Sequence, residues 1–465
     1  MNHPAPSLAQ RYGVYAFFAF IVLLPFARLS ELSCLIGLIL LWSALKTPLL
    51  AGHSSSSTKN FGWKFLWITE RPALLALLAM LAAGLIASID ATAGNESFKS
   101  SAALIRFAGF CALGAVLSSA QHRRLQLVVA LVLMLWILDA SLQALTGWSL
   151  AGRLTADRLS GIFGADDLKL GPVLAVLSPF VWLAPLPASI RQQMLLRISA
   201  WVLLALILLL AGSRASWVIF AVINVALLIR AALVKHIAPV RWGRRIAVAG
   251  GIAIVFVGLA AGLVRTDVRF QARLDRTMQL LNPSGPEGID FALAGRMPIW
   301  QTASNMSATH WLNGVGMRGF RHAYPEFAAS DDPWVQTNAD TGKLQGAFHP
   351  HQIVLEISAE TGLIGLAAWG FIAWLCFALY RRAEQATRAL ALPYGLALFG
   401  MCFPFNTHLA FYSTFWGSLF WWLLALCLGA LSAKRVEAVG ALSDKRIEAV
   451  GALSAKRPET TSPST

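Results

Sequence analysis

The stretch RISAWVLLALILLL (197–210), AGSR (211–214), ASWVIFAVINVALLIRAAL (215–233) holds two apolar runs parted by a short break at Gly212-Ser-Arg214. Runs of roughly 17–25 apolar residues cross a hydrocarbon core of about 30 Å. The pair therefore reads as two membrane-crossing helices joined by a tight turn. Similar runs recur at 11–27, 29–46, 71–89, 101–119, 125–146, 169–187, 246–264, 353–380, 389–405 and 410–431. The expectation is an all-α polytopic membrane protein with about twelve transmembrane helices.

Composition agrees. Of 465 residues, 57% are hydrophobic and 13% charged, with 17 Trp and 26 Phe. A soluble domain of that size needs far more surface charge. The first apolar run leads into a second without a small-residue cleavage site, so no cleavable signal peptide is expected. Cys34, Cys111, Cys376, Cys402 and Cys427 all fall inside expected spans, where they read as small buried apolar residues and predict neither a disulfide nor a metal site.

The net charge of +15 is a matter of topology. With both termini cytoplasmic, 23 of the 38 Lys and Arg fall on the inner side and seven in the short outer loops. That asymmetry sets the orientation by the positive-inside rule. It leaves 265–352 facing outward as the one large extramembrane segment, between helices nine and ten, and makes a nucleic-acid partner unnecessary. The chain divides into 1–264 (helices one to nine), 265–352 (the outer segment), 353–431 (helices ten to twelve) and a cytoplasmic tail, 432–465. The tail carries a repeat of about eleven residues beginning at Ala430 and Ala441, too short for a helical assembly. His53 to Thr58 is a flexible connector.

The outer segment opens with Arg265, Arg269, Arg273 and Arg276, which share one helical face, while Phe270, Leu274, Met278 and Leu281 share the other. Such a helix lies at an interface with its arginines toward headgroups, or turned toward a phosphorylated lipid. A breaker cluster at 282–288 follows, then Gly295-Arg296 entering a short helix through Trp300. Gly314-Val-Gly316 lacks the strand, helix and lysine of a nucleotide loop, and reads as a turn that presents Arg318 and Arg321.

His349-Pro-His351-Gln352 stands where the outer segment meets span ten. A metal needs more ligands than this pair supplies. Either histidine can be structural, or can accept a proton from a hydroxyl at physiological pH. Arg214, at membrane depth, either snorkels to the interface or clamps a phosphate. Arg158 and Lys169 are further cations at the mouth of span six, with Asp166 and Asp167 as possible local partners. Glu356 and Glu360 enter the membrane one turn apart and need partners there.

These residues resemble a family. His351-Gln-Ile-Val-Leu-Glu356, then Glu360-Thr-Gly362-Leu-Ile-Gly365, is similar to the motif of the O-antigen ligase and polymerase superfamily. Gly-Ser-Arg214, Gly-Arg296 with Trp300, and Gly314-x-Gly316 with Phe320 precede it in the family's order, so the resemblance covers roughly 150–370. Gln352 stands where the family carries Asn.

The resemblance implies a GT-C-like membrane fold and glycosyl transfer from an undecaprenyl pyrophosphate-linked glycan to lipid A–core. The reaction would occur at the periplasmic face of the inner membrane; a single displacement would invert the anomeric centre, and with no spaced Asp pair for a divalent cation neither metal nor cofactor is expected. His351 becomes the catalytic histidine with His349 as competitor, and Arg214 and Arg296 the phosphate ligands. Arg158, Lys169, Arg265, Arg269, Arg318, Arg321, His349 and Gln352 become candidate substrate contacts. O-antigen polymerase and protein O-oligosaccharyltransferase share the same donor. A secondary transporter, from another class, should show an inverted repeat or an ionisable relay, and neither is evident.

Overall fold

The computed structural model describes residues 8–50, 71–153, 158–164, 168–233, 268–279, 285–337, 339, 342, 344–407 and 409–433, with positions 251, 254, 258, 261 and 262. In chain order the main helices are α1 (Leu8–Leu23), α2 (Glu31–Leu50), α3 (Arg71–Ala87), α4 (Gly94–Val116), α5 (Ser119–Thr146), α6 (Leu170–Leu183), α7 (Ile190–Leu210) and α8 (Arg214–Leu233). They continue with α9 (Val268–Met278), α10 (Pro286–Ala292), α11 (Met297–Thr309), α12 (Phe320–Phe327), α13 (Ile353–Arg382), α14 (Gln385–Met401) and α15 (Thr414–Ala433).

Each expected apolar segment coincides with one of these helices, except 246–264, which falls largely outside the described residues. The connector at 53–58 and the tail repeat also lie outside them. Six helices, α4, α5, α7, α8, α13 and α15, are long and apolar enough to cross a membrane, and the apolar stretches within α1, α3 and α6 are shorter. The chain is thus a helical, multi-pass membrane protein. Its described strands are two-residue antiparallel pairs, Trp148–Ser149 with Gly152–Arg153 and Gln336–Thr337 with Leu344–Gln345.

The main core gathers around α15, 89% of whose span is buried. Phe20 stacks on Trp422 at 5.5 Å, Phe107 on Trp421 at 5.9 Å, and Phe17 on Phe110 at 5.3 Å. Lipid tails are as apolar as these side chains, so close packing rather than water exclusion holds such helices together. Small residues allow it: a Cβ on Gly429 would lie 2.1 Å from the Gly114 carbonyl oxygen.

A second, smaller core forms around α11 and α12 from Ile299, Ala303, Met306, Val315, Phe320, Ala323 and Tyr324. Ala347 and Ala359 complete it. Ala359 belongs to α13, so this segment is sealed onto the first turns of a membrane helix. Burial pushes the Tyr324 hydroxyl well above its ordinary pKa, and that hydroxyl donates to Asp332 Oδ2 at 2.9 Å.

The two-faced helix expected at 265–281 differs in detail. Phe270 in α9 is buried, 5.4 Å from the Trp217 ring of α8. Positions three apart share a side of a helix, so the same rotation turns Arg273 inward, where its guanidinium lies against Gly212. Met278, expected on the apolar face, is 53% exposed. Arg265 and the side chain of Arg269 lie outside the described residues.

Candidate functional site

The turn between α7 and α8 begins the site. Gly212, at φ +64°, reverses the chain, and the Ser213 hydroxyl accepts from the Ser216 amide at 3.3 Å. Trp217 closes the hairpin by donating its indole N–H to the Leu208 carbonyl at 2.8 Å. Arg214 is thereby the first residue of α8, and its Nη1 donates to the Ala292 carbonyl at 2.5 Å.

Arg296 arrives from the other direction. Ala294 and Gly295, both at positive φ, reverse the chain after α10, and Arg296 caps α11. The indole of Trp334 donates to the Gly295 carbonyl at 2.9 Å, and Asp290 Oδ1 accepts from the Met297 amide at 2.8 Å. Arg296 Nη1 reaches the Leu293 carbonyl at 3.5 Å. Arg214 and Arg296, 82 positions apart in numbering, therefore share the C-terminal end of α10, where exposed carbonyls favour cations. Each spends one of its five N–H donors there, which leaves others for a ligand.

The cations crowd. Burial, then the charges of Arg214 and Arg158, hold the Arg296 guanidinium down to about 10. Arg276 sits with its guanidinium 4.3 Å from the Phe291 ring centre, near enough for its charge to act on Arg214. A cluster of mutually repelling guanidiniums is an electrostatic receptacle for a multiply charged anion.

His351 faces this cluster. Its backbone is left-handed, φ +57°, which holds the His-Pro-His turn tightly at the start of α13. Trp300, one helical turn past Arg296, donates its indole N–H to the Pro350 carbonyl at 3.0 Å. The His349 and His351 ring centres are 4.0 Å apart. Burial, then the charge of Arg296, pushes the His351 imidazole down to about 4, against an opposite pull from the Thr407 carbonyl. Thr407 O lies 3.0 Å from His351 Nδ1. A carbonyl only accepts, so the neutral ring carries its proton on Nδ1 and keeps Nε2 as the basic atom.

Gln352, which departs from the family's Asn, has an evident use. Its Oε1 accepts from the Leu355 amide at 2.6 Å and caps α13. Its extended backbone, φ −155° and ψ 122°, accommodates the longer side chain.

The glycine motifs are interlocking surfaces. α13 is broken at Gly362, φ 61° and ψ −158°, and there Leu363 N donates to the Trp311 carbonyl at 2.8 Å and Ile364 N to Leu312 at 3.1 Å. From the facing turn, Val315 N donates to the Ala359 carbonyl at 2.8 Å and Gly316 N to Glu360 at 3.0 Å. A Cβ on Gly314 or Gly362 would stand 2.3 Å from backbone carbon of the opposite segment. Both expected carboxylates are engaged. Glu360 Oε2 accepts from the Arg318 amide at 2.5 Å, and Glu356 accepts from the Phe411 and Tyr412 amides at 2.8 and 3.1 Å.

The other candidates divide. Arg158 joins the arginine cluster through its charge on Arg214 and Arg296. Lys169 stands over the Phe415 ring at 4.8 Å. Arg318 is exposed at positive φ, while Arg321 pairs with Glu96 at 3.2 Å and with His322 at 3.0 Å, which docks α12 on α4. Asp166 and Asp167 lie outside the described residues. Among the described residues no group of three or more His, Cys, Asp or Glu gathers to hold a metal.

Thr407 joins the site without having been expected there, while Arg276 was expected only as one of the helix arginines that could turn toward a phosphorylated lipid. Arg276 is visible in the sequence as part of the arginine series. Thr407 acts through a backbone carbonyl, which leaves no residue-type signal.

The half-buried guanidiniums of Arg214 and Arg296 and the His351 ring thus gather in one place, an arrangement that suits an anionic ligand. Residues 199–370 match the family model described as O-antigen ligase, and this stretch carries Arg214, Arg296, His351 and the glycine motifs. The chain thus contains a domain of the O-antigen ligase family. No curated protein matches it.

Proposed function

We propose that the protein is an O-antigen ligase. It transfers a glycan from undecaprenyl pyrophosphate to a sugar hydroxyl of lipid A–core, at the periplasmic face of a bacterial inner membrane, with both termini cytoplasmic. The observation that carries this reading is the meeting of Arg214 and Arg296 at adjacent carbonyls of α10, with the Arg296 charge acting on His351.

The chemistry follows from that arrangement. Arg214, Arg296 and Arg158 hold the diphosphate, and their mutual repulsion eases as negative charge accumulates on the leaving group. His351 Nε2 accepts the acceptor's hydroxyl proton as the new C–O bond forms on the anomeric carbon. The bond to the diphosphate oxygen breaks in the same displacement, which inverts the anomeric centre. Guanidiniums take the part that a divalent cation plays in other phosphate-leaving reactions, so transfer needs no metal. Segment 265–352 supplies Arg296 and His351, and the hairpin of α7 and α8 supplies Arg214, so the site belongs to the boundary between loop and membrane.

The test is purified protein in proteoliposomes with lipid-linked glycan, offered lipid A–core, a second lipid-linked glycan or a protein acceptor. Glycan appearing on lipid A–core supports the ligase. Transfer to the second lipid-linked glycan or to protein assigns the chain to polymerases or oligosaccharyltransferases. Solute uptake without transfer would make it a transporter.

A further inference from the structure

The connector between α14 and α15 reaches the site through a backbone carbonyl. Thr407 holds His351 through its carbonyl, and the chain on both sides of Thr407 is tied down. On one side, buried Asn406 donates from Nδ2 to the Met401 carbonyl at 2.9 Å, at the end of α14, and its own amide donates to Phe403 at 2.8 Å. On the other, the Phe411 and Tyr412 amides both donate to the Glu356 carboxyl group. Leu409 N closes the interval by donating to the Asn406 carbonyl at 3.3 Å.

Glu356 is 2% exposed and lies five positions after His351, on the helix that His351 opens. One carboxyl group therefore fastens α13 to the chain segment whose carbonyl orients the histidine. The Tyr412 hydroxyl, 2.7 Å from the Thr361 hydroxyl, adds a second tie between the same two elements.

We infer that Glu356 is a positioning residue for the transfer reaction: by clamping the Phe411 and Tyr412 amides it holds the Thr407 carbonyl against His351 Nδ1, and so keeps Nε2 aimed at the acceptor hydroxyl. Asn406 is the matching anchor on the α14 side. The inference rests on the reading of His351 as the base. A base whose ring can turn over loses both its tautomer and its line to the hydroxyl, and groups that orient an imidazole from behind are generally needed for its full effect.

The isosteric Glu356→Gln replaces one acceptor oxygen with a donor, so one of the two amides loses its partner. In proteoliposomes it should lower kcat roughly tenfold or more, while KM for the lipid-linked donor stays within about twofold. Histidine titration by NMR gives a readout independent of activity. In the wild type the His351 ring should titrate well below an ordinary histidine, and in Glu356→Gln it should move further down as the Thr407 carbonyl, which favours the charged ring, is withdrawn. The other groups facing the ring are Arg296 and His349, with Glu356 and Tyr412 on the two packed elements; His408 lies outside the described residues.

An unchanged kcat with unchanged titration overturns the inference. So does a kcat loss that matches the loss of folded protein while the ring titrates as before. If Glu356→Gln does not fold, Asn406→Ser takes its place: a lower kcat with a lowered His351 titration supports the clamp, and no change in either, or a rise in the titration, overturns it. If wild-type protein transfers no glycan, the proposed function fails, and the titration alone still decides whether Glu356 positions the ring.

Discussion

His351 Nδ1 and the Thr407 carbonyl oxygen lie 3.0 Å apart across 56 positions of sequence. This contact fixes the tautomer of the ring, and burial, helped by the charge of Arg296, favours its neutral form. Together they give a neutral imidazole of fixed tautomer, which suits it to the proposed role of base.

Removing that base should be decisive. His351→Ala is expected to lower glycan transfer by about 10²–10⁴-fold, the usual contribution of a general base. His349→Ala, which removes only the neighbouring ring, should retain more activity. Transfer in proteoliposomes measures both, and the reverse order would move the catalytic role to His349.

The pH dependence has a definite sign. With the His351 pKa lowered from 6.5 to about 4, the ring stays neutral at physiological pH, and the acid limb of kcat/KM should lie near pH 4. Between those two values the unfolded chain binds more protons than the folded one. This residue's contribution to stability is therefore intact above pH 6.5 and is lost as pH falls to about 4. Arg296→Gln removes a repelling charge and should raise the His351 pKa, as read by NMR titration.

The guanidinium fork matters beyond its charge. Arg214→Lys and Arg296→Lys each keep the charge but lose bidentate geometry. Charge-assisted hydrogen bonds of about 1.5–3 kcal/mol imply a roughly 10–100-fold loss of kcat/KM per substitution. Retained activity in both lysine variants would show that charge alone suffices.

Gly314→Ala and Gly362→Ala should destabilise the fold, since each adds a Cβ 2.3 Å from facing backbone at positive φ. A loss of about 1–3 kcal/mol or more is expected, visible as a lowered Tm in detergent. Transfer activity should fall along with it, because these residues seat Arg318 and Glu360 rather than touch substrate.

Metal-free transfer predicts full activity in EDTA. A loss that Mg²⁺ restores would refute the assignment of the metal's role to arginines.

The class of protein was legible because its cause is local. An apolar run long enough to span a bilayer has few alternatives in water, and every expected helix that falls within the described residues is present. Gly212-Ser-Arg214 was readable as a turn for the same reason, and His349-Pro-His351 as the junction with the helix that follows. Contacts between distant segments were not legible from residue type. Arg214 and Arg296 look alike as isolated cations; the resemblance assigned both to one site, and the carbonyls at the end of α10 are where both donate. Arg321 looks like its neighbour Arg318, yet packing of α12 on α4 gives it to Glu96. The tautomer of His351 depends on a main-chain oxygen, for which residue type carries no information. Hydrophobic length along the chain thus determined that this is a helical membrane protein. Only helix packing decided at which carbonyls Arg214 and Arg296 meet and which nitrogen of His351 is held.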